Sequence, residues 1–94
     1  MYFVYILYSP KIDRLYIGVT NDIDRRLEQH NSGGSNYTRG KGPWYIVYKE
    51  EYENKSEALK REREIKNWKS RSRIIKEFKI NLGDFNRQTG PGSE

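Results

Sequence analysis

At 94 residues the chain has room for one compact domain around one modest core and none for a second, because a domain this small leaves much of its surface in water. Hydrophobic residues make up 34% and charged residues 33% of it, and there is no cysteine. Neither disulfides nor cysteine-ligated zinc can staple the fold, so an oxidising compartment and a disulfide-linked partner are not expected. The net charge is +5, and it is unevenly spread: Lys60 to Lys79 holds nine basic against three acidic side chains, a net of +6, which leaves −1 for the rest. Such a segment either neutralises phosphates and releases their counterions or is a solvated helix face, and charge alone does not choose between them. The apolar start is interrupted by Lys11, Asp13 and Arg14 well short of a membrane-spanning length. A cytoplasmic chain with no membrane partner is therefore expected.

Tyr2 to Tyr8 is an unbroken run of aromatic and aliphatic residues, which suits a mid-sheet strand buried on both faces. Ser9 to Asp13 supplies turn residues and Leu15 to Val19 resumes the apolar pattern, so the two runs read as a hairpin. A four-residue loop over 9–12 pairs Tyr8 with Asp13 and sets Tyr5 directly opposite Tyr16, where both point to one sheet face. A one-residue slip would part them. Gly18 suits close approach to a substrate, a bulge or a strand end.

Asn21 or Asp22 can cap a helix whose first turn carries Asp24 and which ends near Asn31-Ser32-Gly33. Ile23 and Leu27 give it an apolar edge, and beside that edge Arg26 and His30, four apart, share a face. Asn31 to Pro43 reads as a long loop, rich in Gly, Ser and Asn, with Tyr37, Arg39 and Lys41 set in it. It is no phosphate-cradling P-loop, since Gly40-Lys41 is followed by Gly42 and lacks the upstream glycine. Trp44 to Tyr48 reads as a third strand. Ser56 can cap a second helix entered by Glu57, with Ala58, Leu59, Ile65 and Trp68 facing inward. A break near Ser70 to Ser72 precedes a last helix containing Ile74, Ile75 and Phe78. No internal repeat is seen, and 83–94 lacks periodicity and is expected to be a disordered tail behind a domain over 1–82.

Within the second helix Ala58, Glu62 and Ile65 follow i, i+4, i+7, which puts a carboxylate on the apolar stripe. A carboxylate there needs a partner. It can be a divalent ion, well served by one carboxylate plus phosphate and waters, or a salt bridge to Arg26, or the group can snorkel, half exposed, to water. Tyr5 and Tyr16 taken singly are packing residues, and His30 taken singly is a surface or core-edge histidine. The set is what matters: two tyrosines eleven apart on a hairpin, Arg26 ten residues on, His30 one helical turn later, and the stripe-breaking Glu62.

That set resembles the GIY-YIG nuclease superfamily, specifically its small stand-alone bacterial YhbQ-like (UPF0213-type) members. The second signature triplet stands intact as Tyr16-Ile17-Gly18 and runs on through Val19-Thr20-Asn21-Asp22-Ile23-Asp24-Arg25-Arg26-Leu27-Glu28-Gln29-His30-Asn31. The first is Phe3-Val4-Tyr5, with the tyrosine and a β-branched residue but no glycine. Tyr37-Thr38-Arg39-Gly40 and Ser56 to Glu62 match the same subfamily, so the resemblance covers about residues 2 to 78. It implies an α+β (α/β sandwich) fold, a small three-stranded antiparallel sheet flanked by helices in the order β-β-α-β-α-α.

The resemblance further implies a metal-dependent endonuclease that hydrolyses DNA phosphodiester bonds in DNA repair or processing. Tyr5 and Tyr16 would be its paired tyrosines, Arg26 the catalytic arginine, His30 its helix companion and Glu62 the ligand of a single Mg2+ or Mn2+. The family's late active-site asparagine has no secure match among Asn67, Asn81 and Asn86. Arg25, Tyr37, Arg39, Lys41, Lys60, Arg63 and Lys66, with Arg61, are candidates for gripping the nucleic-acid backbone and stacking on bases, contacts that position a duplex without reading its sequence. With no separate recognition domain, weak sequence preference and structure-selective cutting at flaps, branches or ends are expected. The alternative is a nucleic-acid-binding module of the same fold with little or no catalysis, which the missing first glycine favours slightly. Oligomeric state stays open.

Overall fold

The first strand, β1 (Tyr2–Ser9), is the element with apolar side chains on both faces, and it lies between the other two strands in a three-stranded antiparallel sheet. In the computed structural model, which describes residues 1–83 and Phe85, it is followed by β2 (Arg14–Thr20), α1 (Ile23–Ser32), β3 (Tyr45–Tyr52), α2 (Lys55–Asn67) and α3 (Arg71–Glu77). This is the expected α+β order, with β2 and β3 as the edges. The expected disorder over 83–94 lies, Gly83 and Phe85 apart, outside the described residues. The Phe85 ring packs 5.6 Å from that of Tyr8 and 5.1 Å from that of Tyr45.

Because successive side chains of a strand point to opposite faces, β1 serves two cores. Val4 and Ile6 join Ala58, Ile65, Ile74 and Ile80 beneath α2 and α3. Tyr5 and Leu7 join Trp44, Ile23 and Leu27 on the face covered by α1. The inward assignment of Ala58 and Ile65 holds, while Leu59 and Trp68 are only half-buried.

The hairpin register differs from expectation. Ser9 pairs with Arg14, Leu7 with Tyr16 and Tyr5 with Gly18, so the turn covers 10–13 instead of 9–12. Ser9 stays in the strand because it is fully buried and its hydroxyl donates to the Lys41 carbonyl. Asp13 closes the turn in the left-handed region at φ 56°, a conformation aspartate tolerates better than most residues. Its carboxylate accepts the Tyr8 hydroxyl at 2.7 Å and Arg71 at 2.6 Å. Moving the turn by one residue at both ends changes pairing by two, so Tyr5 and Tyr16 are diagonal neighbours on one face, not direct partners.

Other boundaries also shift. Of the two cap candidates for α1 it is Asp22 that accepts the Arg25 N–H, and Gly33 closes the helix at φ 89°, a left-handed cap that glycine enters without penalty. Trp44 precedes β3 instead of opening it, because Asn31 takes both its backbone groups: Trp44 N–H donates to Asn31 Oδ1 at 2.7 Å and Asn31 Nδ2 to the Trp44 carbonyl at 3.2 Å. β3 runs on to Tyr52. The cap of α2 is Asn54, not Ser56; its side chain accepts both the Glu57 N–H and the Ser56 hydroxyl at 2.9 Å.

β3 continues through Lys49-Glu50-Glu51 because its inward position, Glu50, is satisfied. Its carboxylate accepts both the Tyr48 and Tyr52 hydroxyls and a two-pronged contact from Arg61, Nε at 3.0 Å and Nη2 at 3.1 Å. Arg61 also lies over the Trp68 and Phe78 rings. Burial raises the Glu50 pKa, but the hydrogen bonds from Arg61, Tyr48 and Tyr52 outweigh it and hold the carboxyl below its usual range. A carboxylate with a lowered native pKa contributes stability that is present above the unfolded pKa and lost as pH falls. Arg61→Ala leaves that half-buried charge without a cation and is expected to cost about 2–3 kcal/mol in urea unfolding at pH 7, between the values for exposed and fully buried pairs. The deficit should narrow as pH falls below the ordinary carboxylate range and through the lowered native pKa of Glu50; a deficit independent of pH would mean that lost ring packing, not the ion pair, is responsible.

Candidate active site

The α1-covered face of the sheet brings four of the five catalytic candidates together. Tyr5 projects from the centre of β1 and Tyr16 from edge strand β2, with ring centroids 6.3 Å apart and planes tilted by 35°. Directly opposite Tyr5 on β2 stands Gly18. A Cβ built there would lie 2.5 Å from the Tyr5 hydroxyl oxygen and 2.7 Å from Cζ, so the Tyr5 ring crosses β2 where the backbone is bare. The glycine of the second triplet is a seat for the tyrosine of the first, a role different from substrate approach, bulge or strand end.

Helix α1 supplies the other two. Arg26 donates through Nε to the Tyr5 hydroxyl at 3.4 Å and through Nη1 to Gln29 at 2.9 Å. His30, 1% exposed, places Nε2 3.0 Å from the same hydroxyl, and its Nδ1 stands 2.8 Å from the hydroxyl of Thr38, itself fully buried. The His30 ring meets the edge of Tyr16 at 4.8 Å. Tyr16 in turn lies 5.5 Å from Tyr37, over whose ring the Lys41 ammonium sits at 4.6 Å.

Burial lifts the Tyr5 phenol above its usual pKa of 10; the Arg26 hydrogen bond and charge pull against this, while Tyr16 and Glu62 add to the rise. The bond to Tyr5 raises the Arg26 pKa further above its ordinary value, against a lowering by burial, so Arg26 is a permanent cation. Burial, helped by the nearby guanidinium, pushes His30 down to about 4, so the imidazole is neutral at pH 7.

Glu62 comes from α2, on the opposite face of the sheet, and is felt electrostatically by Tyr5. Its side chain is 17% exposed, and Oε2 meets the Lys66 ammonium at 3.0 Å across one helical turn. The cation on Glu62 is thus Lys66; Arg26 turns to Tyr5 and Gln29 instead. Among the described residues no three His, Cys, Asp or Glu side chains come together.

The candidates for gripping nucleic acid divide. Arg25 lines a hollow with Arg26, Thr20, Asn21 and Gln29, and Lys66 lines another of about 350 Å³ with Leu15, Tyr16, Ile17 and Tyr37. Tyr37 is 54% exposed. Lys60 and Arg63 line a separate groove with Tyr52 and Trp68, which neither Tyr5 nor Tyr16 lines. Arg61 is held by Glu50, and Arg39 donates to the Gly33 carbonyl at 3.0 Å, closing the end of α1. Asn67 lines the groove with Lys60, Asn81 accepts the Gly83 N–H, and Asn86 lies outside the described residues. Sequence reasoning gave Thr38 and Gln29 no role of their own: both lie in runs that carry the family resemblance, Tyr37-Thr38-Arg39-Gly40 and Tyr16 to Asn31, but neither carries a periodic signal.

The single histidine makes this site measurable. A folded pKa held below the unfolded 6.5 means that the unfolded chain binds the extra proton first, so stability is present above pH 6.5 and is lost as pH falls toward 4. The displacement from 6.5 to about 4 corresponds to about 3 kcal/mol. Nuclear magnetic resonance titration of the imidazole should give a midpoint near 4 in the wild type. In Gly18→Ala, where Tyr5 is forced off its seat, the midpoint should move toward 6.5, with about 1–3 kcal/mol lost in urea unfolding. An unchanged midpoint in that variant would refute the seating argument.

A model of the GIY-YIG catalytic domain matches residues 1–77. The chain is 47% identical over 79 residues to UPF0213 proteins of Staphylococcus aureus strains Mu3 and N315, covering 81% of this chain and 95% of each of theirs. It is also similar to the solution structure of UPF0213 protein BH0048 from Bacillus halodurans, with 37% identity, a TM-score of 0.54 and 95% of each chain covered. The chain belongs to the GIY-YIG family, a family of nucleases.

Proposed function

We propose that this chain is a metal-dependent endonuclease that hydrolyses DNA phosphodiester bonds, with Tyr5, Tyr16, Arg26, His30 and Glu62 as its working residues. One observation carries the reading: the Tyr5 hydroxyl has a guanidinium at 3.4 Å on one side and an imidazole nitrogen at 3.0 Å on the other. A phenol so placed can take one proton while giving up another.

Free phenolate is not the resting state. Burial raises Tyr5 above its ordinary pKa and pushes His30 down to about 4, so proton transfer to a standing phenolate and imidazolium is strongly disfavoured. The transfers are therefore coupled. As the attacking water's oxygen bonds to phosphorus, its proton passes to Tyr5 and the Tyr5 proton passes to His30 Nε2. The bond from phosphorus to the leaving oxygen breaks, and the proton returns from the buried imidazolium through the Tyr5 hydroxyl to that oxygen or to solvent. Arg26 neutralises charge growing on the phosphate oxygens, and Tyr16 orients the water or the phosphate.

Glu62 fits a single hard divalent cation, Mg2+ or Mn2+. It is one half-buried carboxylate held by a mostly exposed lysine; such an i,i+4 pair is worth only about 0.3–0.5 kcal/mol and is easily displaced. These ions take one or two carboxylates with phosphate oxygens and waters. When bound there, the ion supplies Lewis-acid stabilisation of the phosphate. Arg25, Lys41 and Lys66 would hold the backbone beside the tyrosines and Tyr37 would stack on a base, with Lys60 and Arg63 meeting a more distant part of the substrate. Repair or processing of branched or broken DNA in the cytoplasm is the role this arrangement suits.

The test is incubation of the protein with branched and single-stranded DNA plus magnesium or manganese, beside Glu62→Ala and Arg26→Ala. Cutting should require the metal and fall by roughly 10²–10³ in Arg26→Ala, the size expected for removing one preorganised charge partner, and at least as far in Glu62→Ala. Salt-sensitive binding with the same background cleavage in all three proteins would instead identify a binding module.

A further inference from the structure

Thr38 is one of three fully or nearly fully buried polar side chains among the described residues, with Ser9 and His30. Three clips hold it in the long loop: the Trp44 indole donates to the Thr38 carbonyl at 3.2 Å, Lys41 N–H donates to the same carbonyl at 3.2 Å, and Asn31 brackets the Trp44 backbone. Ser9, on β1, fastens the loop's far side at Lys41. An apolar side chain of the same size would fill the place with no buried hydroxyl to satisfy, so packing alone does not ask for threonine.

The hydrogen-bond directions say what the hydroxyl does. Tyr5 oxygen already accepts from Arg26, so its own proton needs an acceptor, and the atom at hand is His30 Nε2. A neutral imidazole offers a bare Nε2 only when Nδ1 carries the hydrogen. Nδ1–H then requires an acceptor 2.8 Å away, and the Thr38 oxygen is it. We propose that Thr38 is a positioning residue: by accepting Nδ1–H it fixes the one His30 tautomer that can receive the Tyr5 proton. The same acceptor serves after transfer, because imidazolium keeps its Nδ1–H. Nothing in the loop has to rotate during the step.

The inference rests on the nuclease reading for its catalytic consequence but not for its structural content, and two readouts separate them. Nitrogen-15 spectra of the single histidine report its tautomer without substrate. The wild type should show Nδ1–H; Thr38→Val should shift the population toward Nε2–H, and Thr38→Ser should restore it. In magnesium-supported cleavage Thr38→Val should lower kcat by roughly tenfold to a hundredfold with KM little changed, part of what a positioned proton-transfer group contributes, and Thr38→Ser should recover most of it. A wild-type spectrum of the Nε2–H form overturns the proposal even if Thr38→Val fails to fold. So does a Thr38→Val protein with wild-type tautomer and full kcat. The expected tautomers in a wild type that cuts nothing would support Thr38 and sink the nuclease reading alone.

Discussion

The site depends on one contact, the Tyr5 ring lying across the unsubstituted backbone of Gly18. A methyl group at position 18 would occupy the space of the Tyr5 hydroxyl, and that hydroxyl is the point on which Arg26 and His30 converge. Because β1 is buried between two strands and under helices on both faces, Tyr5 cannot retreat without disturbing Leu7, Trp44 and the α1 edge that pack with it. Rigidity here comes from a crowded core, which resists small displacements far better than a surface does. Position and reactivity thus have one origin: the burial that holds the phenol also keeps it protonated and the imidazole neutral.

The two faces of the sheet divide the labour. Beneath α2 and α3 lie the aliphatic core and the Glu50 network, which ties β3 to α2 through Arg61. Beneath α1 lies a core rich in rings and polar atoms, in which the buried His30 is paired with Tyr5 through one ring nitrogen and with the buried Thr38 through the other. Paired polar groups in a low-dielectric interior interact strongly, and an unpaired one would be costly. Glu62 belongs to the first face by its helix, yet its partner Lys66 lines a hollow with Tyr16 and its charge is felt by Tyr5.

What could be read from the sequence follows from where local pattern coincides with tertiary need. The both-face apolar run of β1, the Asp22 cap, the Gly33 stop and the Arg26–His30 spacing are local signals, and the fold uses them as they stand. The hairpin register was misjudged because Ser9 looks like a turn residue until the Lys41 carbonyl claims its hydroxyl. Only the two-residue nature of the shift preserved the shared face of Tyr5 and Tyr16. The length of β3 was hidden because Glu50 breaks an apolar pattern whose satisfaction comes from Arg61, eleven residues on. Trp44 reads as strand by propensity, yet Asn31 takes the backbone groups that a ladder would need. The motif match includes Thr38 but not its role, for the same reason: its partner His30 lies across a loop, and no spacing encodes that.

The basic segment shows how far composition can mislead about a surface. Of its nine cations, Arg61 is bound to Glu50 and Glu64, Lys66 to Glu62 and Arg71 to Asp13. Arg71 and Arg61 hold the fold together, joining α3 to the hairpin turn and α2 to β3. Lys60 and Arg63 face a groove that neither Tyr5 nor Tyr16 lines. Only Lys66 of this segment lines a hollow with Tyr16; the other positive charge near the tyrosines is Arg26, which donates to the Tyr5 hydroxyl, and Lys41 over the neighbouring Tyr37 ring, in stretches whose summed charge is unremarkable. For a phosphate the relevant quantity is the field where it must sit, and screening confines that field to about 10 Å in ordinary salt. For the proposed site, the few cations nearest the tyrosines therefore matter more than the larger number spread along α2 and α3. In that proposal the more distant cations would meet parts of a substrate that extend past the site.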